Sequence, residues 1–146
     1  MLNAHDIYHV VEVLDGIFDG RHAFFLQEKA KEEGIVRTQS GVLYRKLNQG
    51  NGTEFATPNS IVFVHYKGRL IDGTEFDSTE GQHLPACFVV RQLIMGWQIA
   101  LTRMRQGDRF EVFIPYEHGY GKKRVDNIPG YSTLIFEIEL VKLEKR

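Results

Sequence analysis

The stretch Arg91-Gln92-Leu93-Ile94-Met95-Gly96-Trp97-Gln98-Ile99-Ala100-Leu101 limits what this chain can fold into more than any other. Leu93, Ile94, Trp97, Leu101 and Met104 recur at helical spacing, whereas the sequence on both sides alternates apolar and polar residues as strands do. A short helix set between strands must bury its apolar stripe against the sheet they form. The stretch also carries Trp97, the only tryptophan. An indole is a large apolar body with one polar N–H, suited either to filling a core or to flooring a pocket between helix and sheet. Taken alone, Trp97 reads as core; what surrounds it favours the pocket.

The surroundings are strands. Ser40 to Leu47 reads as a first strand, closed by the turn-rich Asn48-Gln49-Gly50-Asn51-Gly52. Ile61 to Gly68 is the strongest strand pattern, with Val62, Val64 and Tyr66 on one face and Phe63 and His65 on the other. Asp72-Gly73 predicts a hairpin, from which Glu75-Phe76-Asp77-Ser78 returns. Leu84 to Val90 forms another strand, with Pro85 at its start, where a missing N–H is tolerated. Past the helix, Phe110, Val112 and Ile114 alternate inward. The final strand, Thr133 to Leu143, puts Leu134, Phe136, Ile138 and Leu140 on one face and Glu137 and Glu139 on the other. Such alternation predicts a sheet covered on one side and wet on the other. Between these strands, Pro115 to Tyr131 is a long loop holding Tyr116, Tyr120 and the basic run Lys122-Lys123-Arg124. A loop of that length in a compact domain is more often functional than idle. The basic run itself reads as a solvated face, or as a bias on partner binding. In sum the pattern predicts about five or six antiparallel strands with one short helix on one sheet face, an α+β domain.

Residues 4–33 read as a helical arm. Ile7, Val10, Val11, Leu14, Ile17 and Phe18 share a stripe, Phe24, Phe25 and Leu26 follow, Asp19-Gly20 kinks or breaks the run, and Gly34 fits its end. So apolar a stripe needs a cover. It either folds back as a brace or meets the same helix of a second chain, and the second option is favoured because the rest looks self-sufficient. The expected division is therefore 1–34 as arm, 35–60 as first strand and connecting loops, and 61–146 as the remainder of the domain.

Several function classes drop out. With 18 basic against 19 acidic residues, nothing indicates a general nucleic-acid binder. Cys87 is alone, so neither an intrachain disulfide nor a thiolate metal cluster can form, and it sits within an apolar strand. His5 and His9 share a helix face but lack a third ligand at recognisable spacing, so no metal is expected. No nucleophile elbow, phosphate loop or dinucleotide fingerprint is present, and no cofactor is expected. No apolar run has spanning length, and no signal peptide is visible at Met1 to Asp6, which makes the cytoplasm the default. A signal removed beforehand would instead make the chain periplasmic or exported.

What does converge on the helix is aromatic: Tyr66 and Phe76 from strands, Trp97, Tyr120 from the loop, and Phe136 from the last strand. Asp77 directly follows Phe76 and so points the other way, unless the strand ends or bulges there.

From about residue 40 to 146 the chain resembles the FKBP-type peptidyl-prolyl cis-trans isomerases. The resemblance is carried by Val64-His65-Tyr66-Lys67-Gly68, Asp72-Gly73-Thr74-Glu75-Phe76-Asp77-Ser78, Leu93-Ile94-Met95-Gly96-Trp97, Gly119-Tyr120-Gly121 and Thr133-Leu134-Ile135-Phe136. It implies a twisted antiparallel sheet wrapped around one short helix. It also implies rotation about X–Pro bonds in folding proteins, with a non-catalytic peptide-binding module or holdase-type chaperone as the alternative. Trp97 would be the pocket floor and Tyr66, Phe76, Ile94 and Phe136 its walls, with Leu93, Phe88 and Ile128 as further substrate contacts. Asp77 would stand at the rim, or serve only the hairpin end. Tyr120 would donate a hydroxyl, and Ile94 its backbone N–H, to substrate carbonyls. Macrolide immunosuppressant-type inhibitors are implied as further ligands. The arm resembles that of bacterial macrophage infectivity potentiator-like members, whose N-terminal helices dimerise. Two positions depart from the family pattern. Ala86 stands where many members have an aromatic residue, and Gln82 where eukaryotic members often pair an arginine with the pocket aspartate.

Overall fold

In a computed structural model describing residues 20–145, the chain forms seven strands in one antiparallel sheet. In chain order these are β1 (Ile35–Arg37), β2 (Leu43–Asn48), β3 (Ile61–Arg69), β4 (Glu75–Ser78), β5 (Ala86–Val89), β6 (Arg109–Ile114) and β7 (Leu134–Glu144). Two helices accompany them, α1 (Gly20–Lys29) and α2 (Met95–Leu101). The spatial order is β1-β2-β6-β7-β3-β4, with β5 also paired to β3. The fold is thus α+β, with one strand more than the alternation predicts. The addition is β1, whose Ile35-Val36-Arg37 is too short to show a period and pairs with Leu43 to Arg45 of β2. Among the described residues no helix is long and apolar enough to cross a membrane.

The central helix is shorter than its apolar spacing suggests. A 3-10 turn at Val90–Gln92 comes first, and α2 starts only at Met95. Between them Leu93 and Ile94 are extended, which frees the Ile94 carbonyl to accept the N–H groups of Trp97 (3.0 Å) and Gln98 (3.2 Å). Carbonyls left over by the break are taken up by the Gln98 amide, which donates to Leu93 O at 2.8 Å and Arg91 O at 3.2 Å. Met104 lies past the helix end, though it is still fully buried.

Helix α2 packs on the inner face of the sheet. Trp97, Ala100 and Leu101 meet Val62 and Val64 of β3, Phe110, Val112 and Ile114 of β6, and Phe136, Ile138 and Leu140 of β7 in one core. The approach is close enough to demand glycine. A Cβ on Gly96 would stand 2.4 Å from Ile114 Cγ2, so any larger residue would lift the helix off β6 or distort Ile114. Such overpacking costs about 1–3 kcal/mol, more than the roughly 0.5–1 kcal/mol that glycine loses in a helix.

On the other face the expectation of a wet sheet is corrected in part. Leu43, Phe113 and Ile135 form a second buried cluster, covered by Phe25, Leu26 and Ala30 of the arm and by Ile35 and Ile71. Phe113 is the outward residue of an inward-alternating strand, and it is buried because α1 lies over it. Lys29 reaches across the rings of Phe25 and Phe113. The His22 Nδ1 accepts the N–H of Thr133 at 3.0 Å, tying α1 to the entry of β7. Residues 20–30 therefore brace the sheet within the chain, although none of the residues of α1 is fully buried by that contact. Helix α1 stops at Lys29, five positions before Gly34, and single turns at Ala30, Lys31 and Glu32 lead into β1. The stripe from Ile7 to Phe18 and the His5–His9 pair lie outside the described residues. Farther from α1 the outer face is charged as expected: Arg45 and Arg69 both pair with Glu111, and Arg109 with Glu137.

Candidate functional site

Five aromatic rings converge where β3, β4, β5 and β7 pass the N-terminal end of α2. Trp97, 4% exposed, is the hub. Tyr66 meets it at 5.0 Å and 87°, Phe136 at 5.2 Å and 83°, and Phe88 at 5.9 Å and 84°, all edge-to-face. Phe76 adds a further edge-to-face contact with Phe136 at 5.4 Å. Perpendicular rings pair positive edges with negative faces, a geometry worth about 0.5–1.5 kcal/mol per pair beyond area burial. Phe88 and Ala86 face this cluster, since both pack on the main core. Cys87, between them on an edge strand, points away and is exposed, not part of the apolar layer.

The carboxylate of Asp77 and the phenol of Tyr66 are brought together by a defect in the sheet. Pairing of β3 with β4 runs Lys67↔Ser78 and Gly68↔Asp77, then slips to Arg69↔Glu75, which leaves Phe76 as a bulged extra residue. A strict strand would send Phe76 and Asp77 to opposite faces; the bulge lets both serve the cluster. The Tyr66 hydroxyl donates to Asp77 Oδ2 at 2.7 Å, while Asp77 Oδ1 accepts the Ser78 N–H. Gly68 is required here for space, because a Cβ would stand 2.7 Å from Phe136 and 2.8 Å from Phe76. Gln82 lies exposed in the loop after β4, so the partner of Asp77 is Tyr66, not the residue at the position where the family often has arginine.

Thr79 completes the anchoring of Tyr66. Its N–H donates to Tyr66 O (2.9 Å), and its hydroxyl, in place of its carbonyl, accepts the Tyr66 N–H (2.9 Å). The chain can thus leave the sheet after Ser78 without orphaning a buried amide. The same oxygen meets His65 Nδ1 at 3.0 Å. Sequence reasoning missed Thr79; a hydroxyl residue just past a strand end is the only hint it gives.

Tyr120 is 37% exposed. The loop carrying it is pinned: Gly121 N–H reaches Tyr116 O (3.0 Å), Tyr131 N–H reaches Gly121 O (2.9 Å), and Val125 and Ile128 exchange backbone bonds. Ile128 is 6% exposed and belongs to the main core, as do Trp97 and Phe136, so it roots the loop's far end in the same place. Burial pushes the Tyr66 phenol well above its ordinary pKa, reinforced by its bond to Asp77 and the charge of Asp77, and by Tyr120. Tyr120 is raised too, first by burial, then by the charges of Asp77 and Asp126. The two phenols and Asp77 therefore share one neighbourhood. Leu93 and Ile94 pack on the core from the helix side, and the Ile94 N–H donates to no described residue. Among the described residues no three His, Cys, Asp or Glu side chains are placed to hold a metal.

This arrangement predicts late alkaline titration. A raised phenol pKa means a contribution to stability that is fully present below the unfolded value near about pH 10 and lost as pH rises through the folded value. Ultraviolet titration of the six tyrosines should show late-ionising phenols. Tyr66→Phe should remove one of them, and Asp77→Asn should move it back toward about 10. A late phase untouched by Tyr66→Phe would put that phenol in water.

Residues 52–141 match the family model described as FKBP-type peptidyl-prolyl cis-trans isomerase. The FKBP-type 22 kDa peptidyl-prolyl cis-trans isomerase of Escherichia coli is 46% identical over 120 residues, covering 82% of this chain and 58% of that protein. The outer membrane protein MIP of Legionella longbeachae is 41% identical over 122 residues, covering 83% of this chain and 52% of that protein. The crystal structure of FkpA from Escherichia coli superposes with a TM-score of 0.82 at 34% identity, covering 86% of this chain and 59% of that one. The chain thus spans between half and three-fifths of the length of these proteins. The name of the Legionella protein places it in the outer membrane, so the cytoplasmic default gains no support. Over most of its length, from the loop before β3 into β7, this chain belongs to the FKBP-type peptidyl-prolyl cis-trans isomerase family.

Proposed function

We propose that the chain accelerates cis–trans rotation about X–Pro bonds of folding proteins, with the ring cluster around Trp97 as the proline site. The observation that carries this reading is an indole met edge-on by Tyr66, Phe88 and Phe136, which we read as the floor and walls of the site, with the partly exposed phenol of Tyr120 at its rim. Amide rotation is slow because resonance must be broken, at a barrier of about 18–20 kcal/mol and an uncatalysed time of roughly 10–100 s. No bond is made or cleaved, so no nucleophile is needed. The twisted amide has a less dipolar carbonyl than the planar one. An apolar box therefore favours the transition state over the ground state, which is catalysis by differential binding. In this reading the pyrrolidine sits on Trp97 between Tyr66, Phe76 and Phe136, against Leu93, Ile94, Phe88 and Ile128. Tyr120 and the Ile94 N–H hold neighbouring carbonyls as the handle against which the acyl group turns. Asp77 orients the Tyr66 hydroxyl and stands at the rim. A thousandfold acceleration needs only about 4 kcal/mol, within the range of desolvation plus one or two oriented hydrogen bonds.

Ala86 leaves one wall low, which favours bulky residues beside the proline and weakens the fit of macrolide-type inhibitors. The arm serves as an assembly element: the apolar stripe from Ile7 to Phe18 supports a dimer of such chains, acting as a folding chaperone on whole proteins in a bacterial, exported setting. Support for the dimer is the sequence pattern of that stripe, and for the setting the name of the Legionella relative.

In a proline-peptide isomerisation assay, Tyr120→Phe should lower kcat/KM about three- to tenfold, the loss of one hydrogen bond in a partly dry site. Trp97→Leu should lower it further, with circular dichroism unchanged. An inactive wild type that still binds proline peptides would leave a binding module in place of the enzyme. Sedimentation should give a dimer for the full chain and a monomer for a chain beginning at Gly20, which keeps the brace. Monomers in both cases would remove the assembly role.

A further inference from the structure

The chain is nearly neutral overall, at net −1, yet its pinned loop carries Lys122, Lys123 and Arg124 in succession, all exposed. These cations begin two residues after Tyr120, which acts on Tyr66, and end four before Ile128, which is buried in the main core. The segment is not a slack tether. Its base closes through Tyr131 N–H to Gly121 O at 2.9 Å, and Val125 and Ile128 bond each other at 2.8 and 3.0 Å. At its neck the backbones of Lys122 and Gly130 touch: a Cβ on Gly130 would lie 2.1 Å from Lys122 O. None of the three cations forms an ion pair with a described residue. The ion pairs of the domain are instead spent elsewhere, on the outer sheet face and along α1. The acids nearest in sequence, Glu117 and Asp126, form no ion pair with the run; three cations against Asp126 leave residues 122–128 net positive, while Asp77 is bonded to Tyr66.

We propose that Lys122, Lys123 and Arg124 form an acid-reading flank of the proline site, which selects X–Pro segments with Asp or Glu within a few residues of the proline. This rests on the isomerase reading above and names its substrate class. The physical case is charge complementarity on a rigid rim. Three cations held at the mouth of a low-dielectric cup raise the local concentration of acidic chain and its encounter rate. Being exposed, each pair contributes little alone, so the preference must be modest, additive over the three and sensitive to salt.

The test uses a matched set of peptides with a common Ala-Pro-Phe core flanked on both sides by paired Glu, Gln or Lys. Isomerisation is read by NMR exchange, which needs no coupled protease. At low salt the full chain should favour the Glu over the Lys peptide by about three- to tenfold in kcat/KM. At about 0.5 M salt the ratio should fall below about twofold. In the Lys122→Gln/Lys123→Gln/Arg124→Gln variant it should be equally small at low salt; as a ratio within one protein, it is independent of how much of the variant is folded. An equal ratio in wild type and variant, or one indifferent to salt, would overturn the inference while leaving the isomerase reading intact. Absence of turnover on all three peptides would overturn the isomerase reading instead. The preference would then be read as a ratio of Kd from the fluorescence of Trp97, the only tryptophan. Binding of about 30% phosphatidylserine vesicles through the run, with no peptide preference, would assign it to a membrane surface and overturn the proposal.

Discussion

The site depends on how near α2 lies to β6. Gly96 presses its backbone against Ile114, and Trp97, the next residue, is thereby set low against β3 and β7. From that depth the indole meets Tyr66, Phe88 and Phe136 edge-on rather than stacking with any of them. Edge-on contact lets three rings share one indole, which places Trp97 at the hub of the cluster.

A second constraint acts through the backbone. The slip in register at Phe76 places an aromatic ring and a carboxylate from adjacent residues in one site, and Gly68 opposite leaves room for the ring. Thr79 then lets the chain depart by lending a hydroxyl to the Tyr66 amide. Of the register slips in the sheet, at Lys46/Asn48 between β2 and β6, at Phe63/Val64 between β3 and β7 and at Gly68/Arg69 between β3 and β4, the last adjoins the Tyr66–Asp77 bond, while β6 and β7 pair without a slip.

Period-two alternation made β3, β6 and β7 legible, because each buries one face and its neighbours repeat the pattern. The hairpin at Asp72-Gly73 was equally plain, since few other dipeptides accept the positive φ of 91° found at Gly73. Tyr66, Phe76, Phe88, Trp97 and Phe136 meet in one ring cluster, and Asp77 reaches Tyr66 through the bulge that alternation alone left open. Three features were not legible. The start of α2 was placed too early, because Leu93 and Ile94 fit a helical stripe while their backbone is extended. The dry patch at Phe113 escaped notice, since only the return of α1 across the sheet makes an outward residue apolar by necessity. The exposure of Cys87 was the third, since the apolar composition of β5 does not tell that an edge strand shows one side to solvent.

The central claim is that proline sits on the indole and turns there. Its most direct test is NMR of the protein with a bound X–Pro peptide in both isomers. Nuclear Overhauser contacts from the pyrrolidine ring to the ring protons of Trp97, Tyr66 and Phe136 are predicted, together with exchange peaks linking bound cis and trans peptide. A peptide that binds and exchanges while its pyrrolidine touches none of these rings would contradict the account.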